Sequence, residues 1–324
     1  MACSDVTDIP SPSRNHELHE TPSIIDHSSS ASSTINHSLR PGIYVPTLSF
    51  FTTEKDEDPD LETTTKHVKR MADAGVAGFV IHGTTGEIAH LSRSERKVIT
   101  KTTRNTLDAE GYNNLPIIVG CNAQSTHETV ELCIETQANG ADYVLVLPPF
   151  YYKEQCKKGC LKDFYTDIAD ASPLPVLVYS FPGVTPGVDV DSDLLAELAQ
   201  GHPNIVGCKL IATKAVSAMD SNKKGSGFMC LGGSADFVIQ ALAGGGSGAV
   251  CGLANITPKA CVKLFDLWKD GEYQDASSLQ AASLLEYFFG YGGRARKPLP
   301  RLSKQEETIL RDKFQELINI ESRL

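Results

Sequence analysis

Eight short β-type runs alternate with helix-like segments from residue 42 onward. They cover 43–50, 76–82, 115–121, 142–147, 174–180, 204–211, 227–231 and 247–253. The run 204–211 is almost continuously apolar, the pattern of a strand covered on both faces of a parallel sheet. Between the runs stand helix signals. The segment 61–74 leads to Gly75, and 92–107 opens with Ser92 and Glu95 in capping-box spacing. The segment 126–139 opens Thr-x-Glu and stops at Gly140, while 191–200 sets Leu194, Leu195 and Leu198 on one face before Gly201. An α/β chain with eight such units over about 230 residues matches a (β/α)8 TIM barrel, whose usual length is ~250. A doubly wound open sheet would have fewer strands and a Gly-x-Gly-x-x-Gly turn after the first. Here the first run leads into Thr52, Thr53, Glu54 and Lys55. The expected organisation is a disordered Ser/His-rich tail over 1–40, a barrel over 41–270 and a helical extension over 271–324. The extension reads as helices at 272–290 and 303–321, joined by a Gly/Arg/Pro-rich link at 290–301.

Composition narrows the function. The net charge is −10, and the densest basic run is Arg294, Ala295, Arg296 and Lys297. Nucleic acid and anionic membranes are poor partners for such a chain. No stretch approaches the ~18 apolar residues of a membrane span. The cysteines number nine and follow no repeated spacing, so they read as free thiols of a reducing compartment, with a cytoplasmic location expected. Cys156 and Cys160 have no histidine nearby, so no metal is expected, and no cofactor either. The tail carries Asp5, Asp8, Glu17, Glu20 and Asp26 against Arg14 and Arg40, a poor match to a mitochondrial transit peptide, and has no apolar core of a secretory signal. Its His16, His19, His27 and His37 read as solvated.

In a barrel of this kind the chemistry sits at the C-terminal ends of the strands. Lys209 is the one charge in the run 204–211. Burial there favours its neutral form, and a neutral lysine is the nucleophile that makes a Schiff base with a carbonyl. A structural lysine at a strand end is the plainer alternative. Four other groups share that rim. Tyr179 ends the fifth strand, Gly83-Thr84-Thr85-Gly86-Glu87 follows the second, Pro148 to Lys153 follows the fourth, and Gly232-Gly233-Ser234 follows the seventh. If Tyr179 faces the barrel axis, its hydroxyl can meet Lys209 on the adjacent strand and shuttle a proton. Gly83 and Gly86 allow a turn whose Thr84 and Thr85 amides can hold a carboxylate, although a plain glycine turn has the same signature. The glycine-rich Gly244-Gly245-Gly246-Ser247-Gly248 precedes the eighth strand, so it belongs to the opposite face as a tight helix-to-strand turn.

The order and spacing of Gly83-Thr84-Thr85-Gly86-Glu87, Pro149-Phe150-Tyr151-Tyr152, Tyr179-x-x-Pro182, Gly207-Cys208-Lys209 and Gly233-Ser234-x-Asp236 resemble one known family. It is the dihydrodipicolinate synthase / N-acetylneuraminate lyase family, pyruvate-dependent class I aldolases on a (β/α)8 barrel, and the likeness covers roughly residues 42–320. It implies that Lys209 forms the Schiff base with pyruvate and that Tyr179 is the acid/base group. It implies that Thr84 relays protons to a second tyrosine, Tyr151, lent across a subunit interface. It also implies that the Thr84 and Thr85 amides hold the pyruvate carboxylate, that Gly233 belongs to the substrate site, and that the Val250 and Cys251 carbonyls lie near the lysine. The partners implied are a small-molecule 2-keto acid and further copies of the chain, as a dimer or tetramer.

Two departures bear on the substrate. The synthase branch carries an arginine for a second carboxylate where this chain has Val184, and many members have an acidic residue where it has Leu210. A carboxylate buried against valine is left unpaired, which costs several kcal/mol. The expected activity is therefore retro-aldol cleavage of a 2-keto-3-deoxy sugar acid or of 4-hydroxy-2-oxoglutarate to pyruvate and an aldehyde. For the second substrate, Lys153 or Lys214 would supply a cation. The alternatives are 4-hydroxy-tetrahydrodipicolinate synthase, acting on pyruvate and aspartate semialdehyde, and a barrel that binds a keto acid without turnover.

Overall fold

Strand alternation sorts the apolar residues into two layers. In the computed structural model the strands are β1 (Gly42–Pro46), β2 (Gly78–Ile81), β3 (Ile117–Gly120), β4 (Tyr143–Val146), β5 (Val176–Ser180), β6 (Ile205–Leu210), β7 (Met229–Gly232) and β8 (Gly248–Val250). All pair in parallel with their sequence neighbours, and β8 returns to β1 to close the barrel. Val80, Ile118, Leu145, Leu177, Tyr179, Leu231 and Val250 form the inner layer. Val45, Phe79, Val119, Val144, Val176, Val178 and Cys208 form the outer layer, against the helices. The structure describes residues 39–52, 57–210, 227–274, 276, 296, 315 and 318–324. The tail up to residue 38, Lys214 and most of the expected helices at 272–290 and 303–321 lie outside these.

The described residues form the helices α1 (Leu61–Asp73), α2 (Arg93–Ala109), α3 (Thr126–Gln137), α4 (Lys158–Ala171), α5 (Ser192–Gly201), α6 (Val238–Ala243) and α7 (Pro258–Lys269). No helix among the described residues is long and apolar enough to cross a membrane. Ser92 and Glu95 make the expected capping box of α2. For α3 the cap is Ser125, one residue earlier than the Thr-x-Glu spacing suggested, because its side chain accepts from the Glu128 amide. Gly201 is the last residue of α5 and not its stop, which falls at His202. The strands are shorter than the apolar runs. Pro46 ends the first, and in the eighth the chain winds into a 3-10 turn at Gly252–Asn255.

One irregularity matters. Val176 pairs with Ile205, but Leu177 pairs with Gly207, so Val206 is passed over as a β-bulge. A Cβ on Gly207 would stand 2.5 Å from the Met229 carbonyl, so only glycine fits there. Beyond the bulge Tyr179 pairs with Lys209. Cys208 and Leu210 then pack in the outer layer, which turns Lys209 inward.

Two histidines are buried in the frame. His67 lies 2.9 Å from Asn255 Oδ1, and His82 lies 2.9 Å from the Arg96 carbonyl and 3.1 Å from Thr100 Oγ1. Burial pushes both pKa values down from 6.5 to about 4. Between pH 6.5 and 4 the unfolded chain takes up protons that the folded rings refuse. Stability should therefore be whole above pH 6.5 and fall as the pH drops, by about 3 kcal/mol per histidine near pH 4. Urea midpoints for the parent and for His67→Gln should converge as the pH falls. Parallel curves would show that His67 titrates as in the unfolded chain.

Candidate active site

Lys209, near the end of β6, is 5% exposed inside the barrel. Its Nζ lies 3.1 Å from Tyr179 Oη and 4.2 Å from the centroid of that ring. The ring face favours the ammonium form, but burial dominates and lowers the pKa from 10.5 to about 8, with Cys251 opposing. A useful fraction of neutral amine is then present near neutral pH. Burial raises the Tyr179 phenol above its ordinary value, and the hydrogen bond with Thr84 works against that shift. Tyr179 Oη lies 3.4 Å from Thr84 Oγ1, so amine, phenol and hydroxyl form one line from the barrel interior to its mouth.

The Thr84 side of that line is set by an unusual turn. Two non-glycine residues in the left-handed region, His82 (φ 54°) and Glu87 (φ 52°), bracket Gly83 to Gly86. Such a backbone costs of order 1–3 kcal/mol per residue and persists only where its surroundings hold it. Ser49 Oγ donates to the Gly86 carbonyl at 2.7 Å, and the Glu87 amide donates to the Thr84 carbonyl at 3.1 Å. The His82 carbonyl packs so tightly on β3 that a Cβ on Gly120 would overlap it. Among the described residues the Thr84 and Thr85 amides donate to no internal acceptor, which leaves them available to an anion at the mouth. Ser49 and His82 carried no sequence signal of their own.

The remaining candidates fall into three groups. Val250 is inward and 1% exposed, and Cys251 is fully buried close enough for its thiol to feel the Lys209 charge. Gly233 is half-buried just past β7. Val184 is half-buried in the same apolar cluster as Tyr179, together with Phe181, whose ring stands 6.0 Å from the tyrosine ring. Tyr151 is not part of this cluster. It is 74% exposed and packs edge-on against Tyr152 at 4.9 Å. Leu210 is 4% exposed in the outer layer, so its apolar character says nothing about the aldehyde. Among the described residues no three His, Cys, Asp or Glu side chains gather as a metal site.

The profile of the Dihydrodipicolinate synthetase family matches residues 42–287. A "Probable 4-hydroxy-2-oxoglutarate aldolase, mitochondrial" of Emericella nidulans is 42% identical, over 89% of this chain and 98% of that one. An "L-threo-3-deoxy-hexylosonate aldolase" of Hypocrea jecorina is 39% identical, over 89% and 99%. The crystal structure of YagE, a prophage protein of E. coli K12 in complex with pyruvate, superposes with a TM-score of 0.77 at 27% identity, over 87% of this chain and 99% of that one.

Proposed function

Since this chain belongs to the dihydrodipicolinate synthetase family and is a carbon–carbon lyase, we propose that it cleaves a 2-keto-3-deoxy sugar acid to pyruvate and an aldehyde through an imine on Lys209. The observation that carries this reading is the buried line Lys209, Tyr179, Thr84. The neutral Lys209 amine adds to the keto carbon, and Tyr179 protonates the carbinolamine oxygen so that water leaves. The protonated imine draws electrons as the C3–C4 bond breaks, and the proton of the C4 hydroxyl passes to Tyr179 and Thr84. The enamine left behind takes a proton at C3, and water releases pyruvate and restores the amine. Through these steps the Thr84 and Thr85 amides hold the carboxylate, beside Gly233, Val250 and Cys251.

Tyr151 supports an oligomer in this reading. An exposed tyrosine in the loop after β4 suits insertion into a neighbouring subunit's site, in a dimer or tetramer. The thiols favour a reducing compartment, whether the cytoplasm or the mitochondrion named for two relatives. The helical extension of 271–324 is part of the same proposal, as is a tail before residue 41.

Val184 sets the aldehyde end. It offers no hydrogen bond to a carboxylate, which favours neutral aldehydes and disfavours aspartate semialdehyde. A second substrate, 4-hydroxy-2-oxoglutarate, is favoured by Lys153, whose Nζ would stand 3.8 Å from a Cβ on Gly187 in the loop after β5. Pyruvate release should be measured over a panel of both substrate types. Val184→Arg should shift preference toward carboxylate-bearing aldehydes by about 1.5–3 kcal/mol, roughly ten- to a hundred-fold in relative kcat/KM. Faster condensation of aspartate semialdehyde with pyruvate than cleavage of any keto acid would overturn the lyase reading.

A further inference from the structure

The basic run at 294–297 has no part in the chemistry above, yet Arg296 is docked beside it. Its guanidinium grips Glu95 with Nη2 at 2.6 Å and Nη1 at 3.2 Å. The same group donates to the His90 carbonyl at 2.6 Å and to the Glu57 carbonyl at 2.6 Å, and it lies 4.2 Å from the Phe51 ring centroid. Its backbone amide donates to Glu87 Oε2 at 3.1 Å. The side chains of Arg296 and Glu95 are only 14% and 20% exposed.

The contact to Glu87 reaches the turn that carries Thr84, and the others anchor Arg296 around it. Three non-glycine residues among those described have positive φ: Glu57, His82 and Glu87. Arg296 binds two of them directly. Glu87 is also held by His90 Nδ1 at 3.0 Å, and its own amide fixes the Thr84 carbonyl. A planar fork suits this task and a lysine ammonium does not, because carboxylate and carbonyl acceptors must be met together at fixed angles.

We propose that Arg296 is a positioning residue of the active site, holding Glu87, and through it the Thr84 and Thr85 amides, in the geometry that receives the keto-acid carboxylate. The proposal rests on the reading of that turn as the carboxylate site. It differs from a plain structural brace in one respect. A brace changes melting temperature, whereas a positioning residue changes the pyruvate concentration needed to occupy the site.

The test is pyruvate-dependent borohydride labelling of Lys209 in the full-length protein, with KM and kcat for cleavage alongside. Arg296→Ala should raise the half-saturating pyruvate concentration and KM about ten-fold, with a smaller fall in kcat. Glu95→Gln keeps a residue that completes a capping box but loosens the ionic fork, so it should move the same readout in the same direction by about three-fold. Arg296→Lys should fall between the parent and Arg296→Ala. Arg104 bridges Asp142 at 2.6 Å at the opposite end of the barrel, so Arg104→Ala should lower the melting temperature and leave half-saturation unchanged. A folded Arg296→Ala protein with parental half-saturation and a lower melting temperature overturns the proposal. If that variant does not fold, unchanged half-saturation in Glu95→Gln overturns it equally. Failure of the parent itself to label at Lys209 would refute the carboxylate-site reading, and this proposal with it.

Discussion

Lys209→Ala is expected to lower turnover by more than about 10⁴-fold, or roughly 5.5 kcal/mol, the scale on which loss of a covalent nucleophile is felt. Borohydride with pyruvate should label one lysine in the parent and none in this variant. The rate of imine formation should climb as the pH rises through about 8, where the amine loses its proton. The same shift has a cost in stability. The folded-state pKa lies below the unfolded value, so at pH 7 the native state holds a proton it disfavours, and stability recovers only between pH 8 and 10.5. Lys209→Met should therefore be more stable than the parent at pH 7 by up to about 3 kcal/mol. Labelling at another lysine would refute the assignment of Lys209, and a Lys209→Met protein that melts below the parent at pH 7 would refute the lowered pKa.

Tyr179→Phe is the second large expectation. It removes the acceptor 3.1 Å from the Lys209 amine and the proton path toward Thr84. Loss of a positioned acid/base group should reduce kcat by about 10²–10⁴-fold. Unlike Lys209→Ala, this variant should still be labelled by pyruvate and borohydride, only more slowly. Rapid-quench measurements separate the two, since the nucleophile is intact and only its proton partner is gone. Retention of more than a tenth of parental kcat would mean that the proton travels by another route.

The strand count and the rim positions were legible because a parallel barrel leaves a strong periodic trace, and because Lys209 is a lone charge in an apolar run. The inward aim of Lys209 was not legible. Simple alternation would put Ile205 and Lys209 on one face, yet Ile205 packs outward and Lys209 inward. The bulge that reverses the phase is visible only in the pairing with β5. Leu210 was misleading for a related reason, since adjacency in sequence places it on the opposite face from the lysine. The left-handed backbone at His82 and Glu87 had no sign either, because neither is glycine. Arg296 stood out only as a member of the densest basic run, since its partner, Glu95, lies 201 residues away, beyond the reach of any local pattern.

The bulge at Val206 has a consequence for how this chain can change over generations. Deleting that residue would leave the run 204–211 as apolar as before, and the shortened strand would still pair with its neighbours. Tyr179 would still pair with Lys209, because the lost residue is the one the pairing passes over, and the amine would keep its inward aim. Deleting Cys208 instead would set Lys209 against Val178 of the outer layer, turning the amine out among the helices and leaving no nucleophilic nitrogen at the barrel axis. Elsewhere in the barrel, loops can gain or lose residues at little cost in stability. Past the bulge the residue count itself is under selection, so single-residue insertions and deletions between Gly207 and Lys209 should be purged more strictly than loss of Val206.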